Sequence, residues 1–163
     1  MTALSFAMLA VLASCDRYSE SEMRDRVARF LPVTQTLSFK AKLDCSAGAF
    51  RLKDASIGAE VSVATGLIGM LTMLNRRSIV ALDDPQVSPD RAMVDAANFD
   101  RATGMAMRRA ILEARACMDD QLSTEFGRLL STPGAVLAFD REKTSVMIID
   151  HDNLVVVVAR GAT

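Results

Sequence analysis

The single histidine of the chain, His151, lies between Asp150 and Asp152. An imidazole with carboxylate neighbours could ligate a metal ion or act as a general base. A zinc site, however, needs more nitrogen or sulfur ligands than one histidine offers. Apolar segments flank these residues at the spacing of a β-hairpin, so the pattern favours a polar turn that faces water over a metal or catalytic site.

Two methionine pairs could bind Cu(I), a soft ion that prefers sulfur ligands. Met70 and Met73 share one face of a predicted helix, whereas Met105 and Met107 diverge because positions i and i+2 do not face each other. Methionine also fills irregular gaps in protein cores, which explains both pairs more simply. We therefore expect no metal ion and no other cofactor.

The remaining charged pairs are typical of solvent-exposed structure. Adjacent carboxylates near the ends of predicted elements suit turns and helix caps: Asp83, Asp84, Asp119 and Asp120. Arg76-Arg77 and Arg108-Arg109 suit solvated faces, although a basic patch could also bind anionic lipid. The sequence holds no G-x-S-x-G or H-E-x-x-H motif. We assign no catalytic residue and expect a protein without enzymatic activity.

An uncharged segment opens the chain, and its apolar run from Ala3 to Ala13 is broken only by Ser5. The run is too short to cross a bilayer as a helix, which takes about 20 apolar residues. Its length suits the apolar core of a secretory signal instead. The residues that close it, Leu12-Ala13-Ser14-Cys15, resemble the lipobox of bacterial lipoproteins.

This resemblance implies a signal peptide at residues 1–14, an acylated Cys15 with a short tether at residues 15–18, and a domain at residues 19–163. In this class the cysteine carries a thioether-linked diacylglycerol, and two or three acyl chains make the attachment to the bilayer stable. Two alternatives remain open. Val11-Leu12-Ala13 also fits ordinary signal cleavage, which would release a soluble periplasmic protein, and the segment could instead be a buried N-terminal helix.

If Cys15 is acylated, Cys45 and Cys117 remain, and an oxidising compartment would favour a disulfide bond between them. Both cysteines are expected on inward-facing surfaces. Cys45 belongs to a predicted strand face with Val33, Leu37, Phe39, Ala41 and Leu43. Cys117 ends a predicted helical stripe that contains Phe99, Ala102, Ala106, Ala110 and Ala114. The alternative is two separate buried thiols. Without a C-x-x-C motif, no redox or zinc site is predicted.

In the first half of the chain, Ser19 and Glu22 form a capping box for a helix that Pro32 closes. Apolar periodicity and turn residues then predict, in chain order, a strand over residues 33–45, a turn at Ser46-Ala47-Gly48, a strand over 49–53, a buried helix over 60–75 and a strand over 78–82.

A long helix begins at Ser88-Pro89, because serine can cap a helix and proline suits its first position. It continues to about Asp120 with an interruption near Asn98, and a shorter helix follows at 123–130. The last segment alternates short apolar runs with polar turns, which predicts an antiparallel meander of three strands at 135–139, 145–149 and 154–159.

The four consecutive valines from Val155 to Val158 predict a strand that is covered on both faces. Helices between two β segments indicate a single α+β domain. In this domain an antiparallel sheet, made of an N-terminal hairpin and the C-terminal meander, packs against a long central helix and shorter helices.

The 163 residues are half apolar, and 19 basic against 20 acidic side chains give a net charge of −1. This composition excludes a disordered chain, and the charge balance gives no basis for binding nucleic acid. The resemblance of residues 12–15 to a lipobox implies an envelope lipoprotein on the periplasmic side of the inner or outer membrane. Its partners would be the lipid bilayer, through Cys15, and an envelope protein. The alternatives are a periplasmic domain that binds a small ligand or a metal ion, and an enzyme.

Overall fold

A computed structural model describes residues 18–162, so Cys15 and the predicted signal peptide lie outside the described residues. The helices are α1 (Glu20–Ala28), α2 (Leu67–Leu74), α3 (Pro89–Phe99), α4 (Arg101–Ala114) and α5 (Asp120–Leu130), with a 3₁₀ turn at Arg115–Cys117. The strands are β1 (Val33–Ala41), β2 (Ser46–Leu52), β3 (Ser62–Ala64), β4 (Ile79–Leu82), β5 (Val136–Asp140), β6 (Ser145–Asp150) and β7 (Val155–Arg160).

The strands form one seven-stranded sheet in the order β1-β2-β7-β6-β5-β4-β3. Every neighbouring pair is antiparallel except β3 and β4, which run parallel. The predicted α+β class is therefore confirmed, as are the helix at Ser19 and the C-terminal meander. The N-terminal hairpin joins the meander through the pairing of β2 with β7.

Helices cover both faces of this sheet, and each face has its own hydrophobic core. Along β6, Val146 and Ile148 belong to the core beneath α2, α3, α4 and α5, whereas Met147 and Ile149 belong to the core beneath α1. This arrangement explains why the valines at 155–158 are apolar at consecutive positions, because each face of β7 is buried. The prediction of a doubly covered strand is confirmed.

The capping box of α1 is present as predicted. The Glu22 amide donates a hydrogen bond of 3.2 Å to the Ser19 hydroxyl, and the Ser19 amide donates one of 2.6 Å to the Glu22 carboxylate. One face of the helix then buries Met23 and Val27 against the sheet, and Phe30 and Leu31 continue this contact after the helix ends.

The long helix predicted from residue 88 to about residue 120 is divided in two at Asp100. This residue has an extended backbone, and its carboxylate caps α4 by accepting a hydrogen bond of 3.2 Å from the Thr103 amide. The helices α3 and α4 then pack so closely that a Cβ at Gly104 would collide with the backbone of Ala97. The absence of a side chain at Gly104 therefore permits this crossing.

Two predicted elements are wrong in their details. The first hairpin turns at residues 42–45, and Ser46-Ala47-Gly48 lies inside β2 rather than in the turn. A Cβ at Gly48 would lie 3.1 Å from the Ser38 carbonyl oxygen and 3.2 Å from the Met23 sulfur, so glycine avoids a tight contact where α1 crosses β2. Residues 60–75 contain the short strand β3 before α2, because β3 pairs with β4 at the edge of the sheet.

The crossing of α3 and α4 makes a prediction about two helical glycines. Gly104→Ala should lower the free energy of unfolding by about 1 to 3 kcal/mol, since the added methyl group overpacks a tight contact. Gly127→Ala is the matched control: a methyl group there would meet only open space, and alanine favours a helix over glycine by about 1 kcal/mol, so stability should rise. Urea denaturation measures both changes, and equal midpoints for the two variants would contradict the close packing.

Candidate functional site

A disulfide bond joins Cys45, which precedes β2, to Cys117 at the end of the 3₁₀ turn. Their Cα atoms are 6.0 Å apart, and 72 positions separate them in the chain. The predicted pairing is confirmed, and the predicted burial of Cys45 and Cys117 is confirmed as well. The bond ties the helical layer to the start of β2.

The residue patterns that supported the disulfide prediction are only partly right. On the helical stripe, Ala110 and Ala114 are buried, but Phe99 and Ala102 are exposed because the helix restarts at Asp100. On the strand, β-bulges between Val33 and Ala41 break the simple alternation, and both Leu37 and Leu43 are exposed.

The sequence-based interpretation missed two buried aspartates that each organise a hairpin turn. Asp150 is 7% exposed at the end of β6. One carboxylate oxygen accepts hydrogen bonds of 3.1 Å from the amides of Asp152 and Asn153, and the other accepts bonds from the side chains of Asn153 (2.8 Å) and Arg128 (2.6 Å). Arg128 belongs to α5, so the turn is attached to the helical layer.

Asp140 plays the same part in the preceding turn, and it is 0% exposed at the end of β5. It accepts hydrogen bonds from the amides of Glu142 and Lys143, and Arg26 of α1 donates a bond of 2.8 Å to its second oxygen. In both turns the fourth residue after the aspartate has a positive φ, 47° at Thr144 and 52° at Leu154. This repeated spacing is the signal from which the turns could have been found.

The shifted pKa values among the described residues have structural causes. Burial raises the pKa of Asp150, but the hydrogen bonds from Asn153 and Arg128 lower it by more than burial raises it. The net shift of this pKa is therefore downward. The guanidinium of Arg109 lowers the pKa of Glu113 in the same way, and Thr103 lowers the pKa of the cap residue Asp100. These carboxylates are helix caps and ion-pair partners.

The residues that the sequence offered as possible metal ligands do not come together in the fold. His151 lies in the turn between β6 and β7, and residues 18–162 contain no group of three or more His, Cys, Asp or Glu side chains that could hold a metal ion. Met70 and Met107 are buried in the core, whereas Met105 is half exposed. Asp119 caps α5 by accepting a 2.8 Å hydrogen bond from the Leu122 amide, as expected of a carboxylate at a helix start.

The fold places basic and acidic side chains unevenly at the two ends of the sheet, although they are mixed along the sequence. One end of the sheet, which we call the basic end, is formed by the starts of β2, β4 and β6 and the ends of β1, β5 and β7. The exposed basic residues in its connections and on α4, which lies across it, are Lys40, Lys42, Arg76, Arg77, Arg101, Arg108, Arg109, Arg115 and Arg141. The acidic residues there are Asp44, Glu60, Asp100, Glu113, Glu142 and Asp140, of which Asp140 is buried and paired with Arg26.

The opposite end of the sheet, the acidic end, carries the turn after β6 and the segments that follow β2 and β4. Its carboxylates are Asp54, Asp83, Asp84, Asp150 and Asp152, and its basic residues are Arg51, Lys53 and Arg128. A net charge close to zero therefore conceals an uneven distribution along the strand direction.

Helix α4 lies across the basic end. The amide of Ala162, just after β7, donates a hydrogen bond of 2.8 Å to Glu113, and the disulfide fixes the end of the helical segment near β2. An open groove of about 790 Å³ runs along the helix, here called the α4 groove, and is lined by Ala102, Met105, Ala106, Arg108, Arg109, Leu112, Thr144 and Ala162. It combines apolar side chains with two arginines.

Large apolar side chains are exposed around the same end. Leu43, Phe99, Met105 and Leu112 are between 50% and 69% exposed. Exposed apolar side chains that cluster among polar ones are typical of interaction surfaces. The basic end therefore combines positive charge with exposed apolar area.

A second groove, the β1 groove, lies between the edge strand β1 and the start of α5. Its volume is about 310 Å³, and its lining combines apolar residues with a polar rim: Leu37, Ser38, Ala49, Asp119, Gln121, Leu122, Glu125 and Val155. Leu37 is 43% exposed beside it.

A scan against protein-family models and searches of the curated proteins and the solved structures found no match to this chain. Among residues 18–162 there is also no helix of the length and hydrophobicity that a bilayer span requires. Because a fold alone does not define an activity, function is inferred from the surfaces and the disulfide.

The ion pair beneath the second turn predicts a pH dependence. The pKa of Asp150 is lower in the folded chain than in the unfolded one, so the stability it contributes is present above pH of about 4 and is lost as the pH falls through the folded value. Asp150→Asn should lower the free energy of unfolding at neutral pH by about 2 kcal/mol and flatten its decline in acid.

Asp152→Asn is the control for this prediction, because Asp152 is an exposed residue of the same turn. Its unfolding free energy, followed by denaturant titration from neutral to acidic pH, should match that of the natural chain. If the unfolding free energies of the two variants declined identically as the pH fell, the buried carboxylate of Asp150 would contribute nothing to stability.

Proposed function

We propose that this protein is an exported lipoprotein of the bacterial envelope, anchored through acylated Cys15 on the periplasmic side of the membrane, and that its domain acts without catalysis through protein contacts. The observation that carries the proposal is the disulfide between Cys45 and Cys117. Disulfide bonds persist in oxidising compartments and are rare in the cytosol, so the bond supports export.

The start of the described chain supports a short tether. The Arg160 guanidinium lies 4.3 Å from the centre of the Tyr18 ring, so the chain enters the domain beside the last residue of β7. Cys15 precedes Tyr18 by three positions, a distance that an extended chain spans in about 10 Å. An acylated Cys15 would therefore hold the domain close to the bilayer.

Support for a contact role comes from the β1 groove, whose apolar lining and polar rim are typical of interface patches. The bulges in β1 disturb the regular row of hydrogen-bonding groups that strand addition needs, so contact through side chains is favoured. Ion pairs and a helix cap account for the lowered pKa values of Asp150, Glu113 and Asp100, which supports a role without catalysis.

A second candidate function, binding of a small ligand by a periplasmic domain, is favoured by the α4 groove. Its volume of about 790 Å³ falls within the range of ligand pockets, and its lining is largely apolar. Ligand pockets bury most of the ligand surface, whereas this groove is open, so we rank the candidate second. It requires export but no lipid anchor.

Cys15→Ala tests the lipid anchor. The natural chain should yield a mature N-terminus at Cys15 with the added mass of its acyl groups and should partition into membranes, because two or three acyl chains bind stably. The variant should remain unprocessed or enter the soluble periplasmic fraction. Ser5→Ala, a change in the leader outside the lipobox, should behave as the natural chain does.

Mass spectrometry of the same non-reduced material should also recover the peptide that joins Cys45 to Cys117. An unacylated natural chain would refute anchoring, and two free thiols in native material would refute export. A processed but unacylated chain with the disulfide intact would support the soluble periplasmic alternative.

Leu37→Glu tests the contact role, since a charge in the β1 groove should prevent its burial against a partner. Cross-linking in intact cells should trap the natural chain in complexes of defined mass, and Leu37→Glu should lose them. Ile68→Glu places the same charge at an exposed apolar residue of α2, away from the groove, and should retain them. Complexes that persist in Leu37→Glu, or their absence from the natural chain, would contradict a contact role for the β1 groove.

A further inference from the structure

We propose that the basic end of the domain docks on an anionic lipid bilayer, with the arginines of α4 binding phosphate headgroups and the apolar residues between them entering the interface. This inference rests on the proposed function for the presence of a nearby membrane. It adds the surface that meets the bilayer, the lipid chemistry that this surface selects and the resulting orientation of the domain.

The exposed face of α4, continued by the first residue of the 3₁₀ turn, alternates basic and apolar residues along one stripe. Arg101, Met105, Arg108, Leu112 and Arg115 follow spacings of four, three, four and three, which place them on one side of a helix, and each is exposed. Met107, Ile111 and Ala114 on the other side are buried in the core. The exposed stripe thus has the composition of a helix that lies in a membrane interface, while its reverse side belongs to the fold.

The arginines of this stripe are available to an external anion. Within residues 18–162, Arg101, Arg108 and Arg115 form no ion pair, whereas Arg109, beside the stripe, binds Glu113. A guanidinium binds phosphate oxygens in bidentate geometry, so anionic headgroups are suitable partners. The other exposed basic residues of the basic end increase the local positive potential.

The point at which the chain enters the domain favours a bilayer as the partner of the basic end. The Tyr18 ring packs on Arg160, the last residue of β7, at the basic end of the sheet. The predicted lipid anchor is attached only three residues earlier, so it would hold this end of the sheet, which α4 crosses, close to the bilayer. Exposed Phe99 and Leu43 stand near opposite ends of α4 and extend the apolar contact to both sides.

The experiment uses the mature chain from residue 15 with Cys15→Ser, so that docking is measured without acyl chains. The natural sequence has no tryptophan, and a single introduced indole therefore reports its own surroundings. Leu112→Trp places the indole in the stripe, and Ile68→Trp places it at an exposed apolar residue of α2 nearer the acidic end. The probes are phosphatidylcholine vesicles with and without phosphatidylglycerol, and brominated lipid serves as the quencher.

With phosphatidylglycerol vesicles, Leu112→Trp should shift its emission to the blue and be quenched by brominated acyl chains, while Ile68→Trp should show neither change. Added salt should weaken the binding, because headgroup attraction is screened. An unshifted Leu112→Trp, an equal response of both reporters, or equal binding to vesicles without phosphatidylglycerol would overturn the proposal. Tighter binding to single-stranded RNA than to these vesicles would also overturn it.

Charge reversal provides the second test. Arg101→Glu with Arg108→Glu in the Leu112→Trp chain should weaken vesicle binding at least about tenfold, given the contribution of each basic residue near an anionic surface. Arg51→Glu with Lys53→Glu makes the same change in net charge at the acidic end and should leave binding within about twofold. Equal loss in both would show that only net charge matters. Since no acyl group is present, failure here leaves the Cys15 prediction standing, and failure of acylation leaves this measurement intact.

Discussion

Helices cover both faces of the central strands β5, β6 and β7, so a charged side chain on these strands can reach water only near the strand ends. The two aspartates that close β5 and β6 lie at this boundary and are still buried. Each is satisfied by turn amides and by one arginine from a covering helix, Arg26 on one face and Arg128 on the other. The turns, both helical layers and the sheet are therefore held in one geometry by polar contacts that the apolar cores could not supply.

The same constraint determines where the surface chemistry of the molecule lies. With both faces covered, exposed charge collects in the connections at the two ends of the sheet and on the outer sides of the helices. Helix α4 crosses the basic end, and the bond from Cys117 to Cys45 holds the last turn of that helical segment to β2. The arginines and apolar residues of the stripe therefore belong to a helical segment that is held by the core and by the disulfide, which preserves the spacing of their side chains.

Local signals predicted much of this fold, because they act within a few residues. The caps at Ser19 and Ser88 and the polar turns of the meander are of this kind. The first hairpin was placed wrongly since Ser46-Ala47-Gly48 has the composition of a turn, while Gly48 is small because Met23 of α1 packs against it. The edge strand β3 has three residues and depends on pairing with β4, so it has no periodicity of its own.

The candidate site depends on topology in the same way. A net charge of −1 indicates no preference for anions when the chain is taken as a whole, yet Arg76-Arg77 and Arg108-Arg109 reach one end of the sheet from separate segments. Only the strand order shows that Lys40 and Lys42 join them and that the opposite end has five carboxylates against three basic residues. Attraction to an anionic surface depends on local potential over about a Debye length, some 10 Å, which is shorter than a strand of six residues. The basic end can therefore attract such a surface while the distant carboxylates are screened, although the molecule as a whole is nearly neutral.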